Sequence, residues 1–291
     1  MTRSVLFAGV ALGWTILAQP VLADPINVVA AEKFYGDVAA QIGGANVAVS
    51  SILSNPDDDP QLLQASAATA KALSGAEIVI VNGADYDPWM EKLLAANEAL
   101  GRREILVASL AHKNPGDDPH LWYNPATVRA LAIALTVDFG IVDPSHRSDY
   151  EKAGTAFVAA LEPLDAKIAE MRRKHAGAPV IASEPVCRYL AELIGLKVRN
   201  QNFAPAVMKN SETNASNLVE FENDLKGHKV KVMLYDAQAS KPAVQRLLQI
   251  AEEEKIPVVG LSETEPADEN YQQWMTNQLD ALDKALTGSA M

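Results

Sequence analysis

Residues 148–174 read SDYEKAGTAFVAALEPLDAKIAEMRRK, with no strand-like run among them. Apolar side chains fall at Tyr150, Ala153, Phe157, Leu161, Leu164, Ile168 and Met171, in steps of three and four. That spacing marks one face of a single helix. Asp143-Pro144 supplies a cap and first turn upstream, and Gly177 a stop. At about 1.5 Å per residue the helix would be about 40 Å long. Pro163 interrupts it and predicts a kink.

On both sides of this helix, short apolar runs alternate with helix-length segments. Upstream, Ile26–Ala30, Val47–Ile52, Glu77–Val81 and Glu104–Val107 read as buried strands. Downstream, Val180–Ser183, Val230–Leu234 and Pro257–Leu261 read the same way. Between them lie helical patterns at 32–42, 62–73, 185–194, 242–253 and 271–286. Alternation of this kind predicts an α/β fold with mainly parallel sheets covered by helices. The expected architecture is two βα lobes joined by one long linker helix, with a ligand cleft between the lobes. The expected boundaries are 24–145 for the N-terminal lobe, 146–177 for the linker helix and 178–291 for the C-terminal lobe.

Residues 1–23, MTRSVLFAGVALGWTILAQPVLA, read as an address rather than a structural element. Arg3 is the positive start, Val5 to Ala18 the apolar stretch, and Val21-Leu22-Ala23 the small-residue cleavage pattern. The apolar run ends at Gln19-Pro20, short of the ~20 residues a membrane span needs. No later stretch reads as a span. The expected product is a soluble periplasmic protein cut after Ala23. Without a cysteine at that point it is not a lipoprotein of the usual form.

Composition narrows the partners. Of 291 residues, 48% are hydrophobic, enough for real cores. The 37 acidic against 25 basic side chains give a formal charge of −12. Nucleic-acid phosphate calls for clustered Lys and Arg, so it is excluded; an acidic chain instead attracts cations. One cysteine, Cys187, excludes an internal disulfide framework and a Cys-rich zinc cluster. It sits in an apolar helical context and reads as packed core.

In open α/β sheets, ligands bind beyond the carboxyl ends of the strands. Those positions here are polar and acidic: Asn55 to Gln61, Asn114 to His120, Glu184, Tyr235-Asp236 and Ser262 to Glu265. Two of the loops repeat the pattern NP-x-DDP, followed by Gln61 in one and His120 in the other. His120 can give a divalent metal an imidazole nitrogen, and Glu184 or another acid can give oxygens. Gln61 offers only a neutral amide. Blander roles compete at each position. The aspartates at 57–59 and 117–118 suit turns and helix caps, and Glu184 before Pro185 suits a helix start. His112, His146, His175 and His228 read as surface residues, and Trp89, Trp122 and Trp274 as packing. The chain has no G-x-G-x-x-G, G-x-x-x-x-G-K-[ST], G-x-S-x-G or H-E-x-x-H, so no enzyme signature stands out.

At this point the sequence resembles the metal-binding solute-binding proteins of bacterial ABC importers, the zinc and manganese group with a rigid linker helix. The resemblance rests on AAEKFYGDVAAQIGG (30–44), NPDDDPQ (55–61), DDPHLWYNP (117–125), ASEPVCRYLAELIGL (182–196), YDAQAS (235–240) and YQQWMTNQLDALDKAL (271–286). It implies a metal held between the lobes by four positions. His120 matches the second histidine of the family, and Glu184 the third position in its glutamate form. Gln61 stands where the family has its first histidine. The last position falls on Ser262 without a gap or on Glu263 with a one-residue shift, and Asp236 on the neighbouring strand is a further candidate. The histidine-rich loop of many zinc members is absent.

One imidazole with carboxylates is a harder donor set than two or three histidines. It shifts preference toward Mn²⁺ or Fe²⁺, while the Irving–Williams order still gives Zn²⁺ greater raw affinity than Mn²⁺. The resemblance therefore implies a non-enzymatic, monomeric capture protein for a divalent cargo, Zn²⁺ first and Mn²⁺ next. Its partner would be an ABC permease, with a periplasmic metallochaperone as a further candidate. Gln61 motivates an alternative: the same fold with a degenerate site, acting as an accessory or binding another small ligand. A metallohydrolase built on His120, Glu184 and Asp236 is permitted, but no motif favours it.

Overall fold

The structure is a computed structural model that describes residues 24–55, 63, 66–201, 215–238 and 242–288. The address segment 1–23, Gln61 with most of its loop, and the side chain of Cys187 lie outside the described residues.

The N-terminal half runs β1 (Ile26–Glu32), α1 (Lys33–Gly43), β2 (Val47–Leu53), α2 (Ala67–Ser74), β3 (Ile78–Val81), α3 (Pro88–Ala96), β4 (Arg103–Leu106) and the short α4 (Val107–Leu110). Three helices follow: α5 (Pro125–Val142), α6 (Arg147–Ala159) and α7 (Glu162–His175). The C-terminal half is β5 (Pro179–Ala182), α8 (Arg188–Ile194), β6 (Lys197–Arg199), α9 (Ala215–Lys226), β7 (Val232–Asp236), α10 (Pro242–Glu253), β8 (Val258–Leu261) and α11 (Tyr271–Thr287).

Each half holds one four-stranded sheet, and every pairing is parallel. The orders are β2-β1-β3-β4 and β6-β5-β7-β8, the same arrangement twice. All four residues of β3, Ile-Val-Ile-Val, are buried. Continuous apolar strands of this kind fit a parallel sheet covered on both faces. In each half the chain reverses its direction of travel across the sheet between the first and third strands. Crevices at the carboxyl ends form at such points.

The expected strands are all present, with ends shifted by up to two residues. Val107 belongs to α4 rather than to β4, and β7 extends to Asp236. Strand β6 and helices α3, α5 and α9 were not anticipated. Strand β6 has three residues with no fully buried position, too weak an apolar signal to read. Helix α5 is apolar nearly all round, so it has no clear period. By length and hydropathy it is apolar enough to cross a bilayer, a candidate that the sequence reading overlooked. Its Val128, Leu131, Ala132, Leu135 and Phe139 are buried in the protein.

The expected single rod is two consecutive helices, α6 and α7, broken at Ala160–Leu161. Both residues keep right-handed helical dihedrals, so the break is a tightening rather than a loop. Its cause is Pro163, at the start of α7, which has no N–H to give and whose ring crowds the carbonyl four residues back. The predicted apolar face holds: Tyr150, Phe157, Leu161, Leu164, Ile168 and Met171 are all buried. The Asp143 side chain accepts from Ser145 N, but the turn it caps is the short 3-10 segment Pro144–His146; α6 follows directly without a side-chain cap of its own.

These helices join the halves through packing as well as through the chain. One apolar cluster runs from Ile26, Val28 and Ile80 of the first sheet, through Phe157, Leu164 and Met171, to Val180, Leu234 and Leu261 of the second. The outer face of each sheet has its own smaller core. Helix α7 is also tied to α11: Lys167 Nζ lies 2.9 Å from Asp283 Oδ2, and His175 Nε2 2.8 Å from Asp283 Oδ1. His175 is thus buried and partnered, not the surface residue that its polar neighbours suggested.

Candidate metal centre

Segments beyond the carboxyl ends of strands in both halves meet at His120 and Glu263. His120 directly precedes a 3-10 turn, Leu121–Tyr123, whose three side chains are buried and anchor the segment. The imidazole is fully buried, with its ring centroid 5.4 Å from that of Trp122. Asp118 orients it: Oδ1 lies 2.6 Å from His120 Nδ1 and also accepts the His120 backbone N–H at 3.1 Å. Nδ1 thereby carries the proton, and Nε2 faces the opposite half. There it meets Glu263 Oε1 at 3.2 Å.

Glu263 stands just beyond β8. Its backbone N–H donates to Gln238 Oε1 at 3.1 Å, and its Oε2 accepts from the Tyr86 hydroxyl at 3.3 Å. Ser262, the alternative at the last position, is turned away: its Oγ accepts from Trp274 Nε1 at 2.8 Å. Asp236 closes β7, and Glu184 follows β5, itself buried. These two acids sit at the switch point of the second sheet, as their strand positions required.

The electrostatics tie the group together. Burial alone would depress the His120 pKa. The charge of Glu263 and the hydrogen bond to Asp118 override it and push the pKa up to about 10. Metal-free His120 is therefore an imidazolium at neutral pH. Asp236 is pushed up to about 7, first by burial and then by the charges of Glu263 and Glu184, against a Gln238 N–H bond and His120. Three of the expected residues, His120, Glu184 and Glu263, are thus close enough to a fourth, Asp236, to shift it. Gln61 lies outside the described residues. Among the described residues, no three His, Cys, Asp or Glu side chains converge tightly enough to form a ready-made cage.

Sequence reasoning missed three contributors. Asp118 passed for a turn residue; its position two before a histidine in D-x-H was the available signal. Tyr86 and Gln238 gave no signal, because their roles depend on where the two halves meet. Several further contacts fix that meeting. The Tyr189 hydroxyl donates to Asp118 O at 2.8 Å, and the Tyr123 hydroxyl lies 2.8 Å from Ser262 O. Lys33 Nζ sits 2.5 Å from Glu265 Oε1 and 2.6 Å from Pro266 O.

Known proteins share this architecture. The manganese-binding lipoprotein MntA of Bacillus subtilis is 23% identical over 243 residues, which covers 78% of this chain and 76% of that relative. The high-affinity zinc uptake system protein ZnuA of the same organism is 27% identical over 130 residues, 45% of this chain and 40% of its own length. Among solved structures, the periplasmic zinc-binding protein TroA from Treponema pallidum matches with a TM-score of 0.76 at 18% identity. That match covers 91% of this chain and 99% of TroA, and it shows a common fold. The family described as zinc-uptake complex component A, periplasmic, matches residues 28–285, and this chain belongs to it.

Proposed function

We propose that this protein captures a divalent transition metal in the periplasm, zinc first and manganese next, and delivers it to an ABC importer. The observation that carries the reading is the His120–Glu263 pair. It is a buried imidazole, oriented from behind by Asp118, whose free edge meets a carboxylate of the other half at 3.2 Å. A cation replacing the Nε2 proton would gain both a nitrogen and an oxygen donor. Glu184 and Asp236 supply two further oxygens, which makes four donors, and Gln61 or a water would add a fifth for an ion that takes more. Zinc is bound by such N/O sets and accepts four donors. The chain's membership of a zinc-uptake family and its manganese-binding relative support both candidate ions.

Nothing in this role needs turnover. The importer's permease and ATPase are the expected partners, with a metallochaperone as a possible donor. Acting as a monomer fits a site completed within one chain, and the leader-like residues 1–23 fit export.

The test is thermal unfolding of chelator-stripped protein with Zn²⁺ or Mn²⁺. Ligand at about 100 times its dissociation constant adds about 2.7 kcal/mol, which for a chain of this size is a rise of roughly 5 °C or more. The rise should vanish in His120→Ala. Gln61 favours a second reading, a weakened site serving an accessory role. In that case the native protein shows no shift with either ion, and Gln61→His creates one.

A further inference from the structure

The carboxylate of Glu263 is divided between two partners. Oε1 faces His120 Nε2 at 3.2 Å, and Oε2 accepts from the Tyr86 hydroxyl at 3.3 Å. Tyr86 is not free to leave. It is 1% exposed, and its ring centroid lies 5.0 Å from that of Trp122 and 6.3 Å from that of His120.

The backbone beneath it is equally fixed. Gly83, Ala84 and Asp85 are three successive residues with positive φ, at 76°, 52° and 64°. Such a run is costly for the two non-glycine residues. It is closed by Asp87, whose two oxygens accept the backbone N–H groups of Asn82 at 2.7 Å and Gly83 at 2.8 Å. The neighbouring Asn82 side chain accepts from the Tyr35 hydroxyl at 2.6 Å and donates to Pro119 O at 3.0 Å, next to His120. A strained loop held this firmly delivers one phenol to one carboxylate oxygen.

We propose that Tyr86 is the specificity-determining residue of the metal site, because its hydroxyl keeps Glu263 monodentate. This rests on the reading of His120 and Glu263 as ligands. A metal entering between His120 Nε2 and Glu263 Oε1 finds Oε2 already engaged by a donor that cannot move aside. One oxygen rather than two then counts toward the coordination number. Zinc is content with four donors. Manganese and other hard ions prefer about six, mostly oxygens, and gain from a chelating carboxylate. Tyr86 thus penalises the larger coordination sphere and offsets the hardness of an acid-rich site.

The experiment compares wild type with Tyr86→Phe, which keeps the ring and removes only the hydroxyl. Affinities for Zn²⁺ and Mn²⁺ are measured by competition with a chelating dye, and Co²⁺ is used as a coloured stand-in for zinc. The expected result is a Mn²⁺-to-Zn²⁺ affinity ratio raised roughly tenfold in the variant, the worth of about one hydrogen bond to a charged group. Its Co²⁺ absorption should also be weaker, as a higher coordination number requires. Equal loss of affinity for both ions would make Tyr86 merely structural and overturn the proposal, as would an unchanged ratio. Wild type that binds neither ion would instead overturn the capture function itself. Should the variant fold poorly, X-ray absorption on zinc-loaded wild type decides: both Glu263 oxygens at bonding distance would refute the inference.

Discussion

At the residue scale, a metal at the proposed site would compete with protons for the same atoms. His120 holds its proton up to about pH 10, and Asp236 holds one up to about pH 7. A ligand must be deprotonated to bind. Uptake of one ion should therefore release about one proton at pH 8.5, rising toward about two at pH 6. Calorimetry in buffers of different ionisation enthalpy counts them, and His120→Gln should remove the proton released at the higher pH. Stability of the metal-free protein follows with a definite sign. Both pKa values are raised on folding, so both groups favour the fold when protonated. That contribution is complete below their unfolded values and is lost as pH climbs, through about 7 for Asp236 and about 10 for His120. Asp236→Asn should flatten the fall between pH 4 and 7. The sequence made His120 and Glu184 readable, because both stand at strand-end positions with recognisable neighbours. Whether Ser262 or Glu263 faces the cleft depended on a one-residue shift. The contact between Trp274 and Ser262 turns Ser262 away, and no local pattern reveals that contact.

At the scale of elements, the helices around the rod are packed closely where a glycine permits it. Gly154 on α6 faces Thr136 on α5, and a Cβ added there would meet Thr136 Oγ1 at 2.0 Å and its Cβ at 3.1 Å. Thr136 is held, since its hydroxyl donates to Ala132 O at 2.8 Å. Gly154→Ala should cost about 1–3 kcal/mol through overpacking, and adding Thr136→Ala should recover much of it. A double-mutant cycle by denaturant unfolding measures that coupling. The apolar stripe of the rod was legible from Tyr150 to Met171 because an amphipathic helix writes its period into the chain. Helix α5 was not, because a helix apolar on most sides has no phase to read. The break at Leu161 was foreshadowed by Pro163, but no local pattern measures how far a proline interrupts a helix.

At the scale of the whole molecule, the two sheets are legible as alternating patterns, whereas their joint core is not. Residues from Ile26 to Leu286 form one continuous apolar cluster across both halves and the helices between them. Opening the halves would expose that cluster at about 25 cal/mol per Å². Metal binding should therefore leave the overall dimensions nearly unchanged. Small-angle scattering of metal-free and metal-loaded protein should give matching radii of gyration; a clear contraction on loading would contradict the shared core.

A jaw that does not swing has a consequence for unloading. Many receptors shed cargo by drifting open, but here spontaneous opening would have to tear the common core. On the proposed function, release would then be mechanical work done from outside. An importer receiving the metal, as proposed, would have to pry at a few strand-end loops, such as the one carrying Glu263, while the body of the protein serves as the anvil.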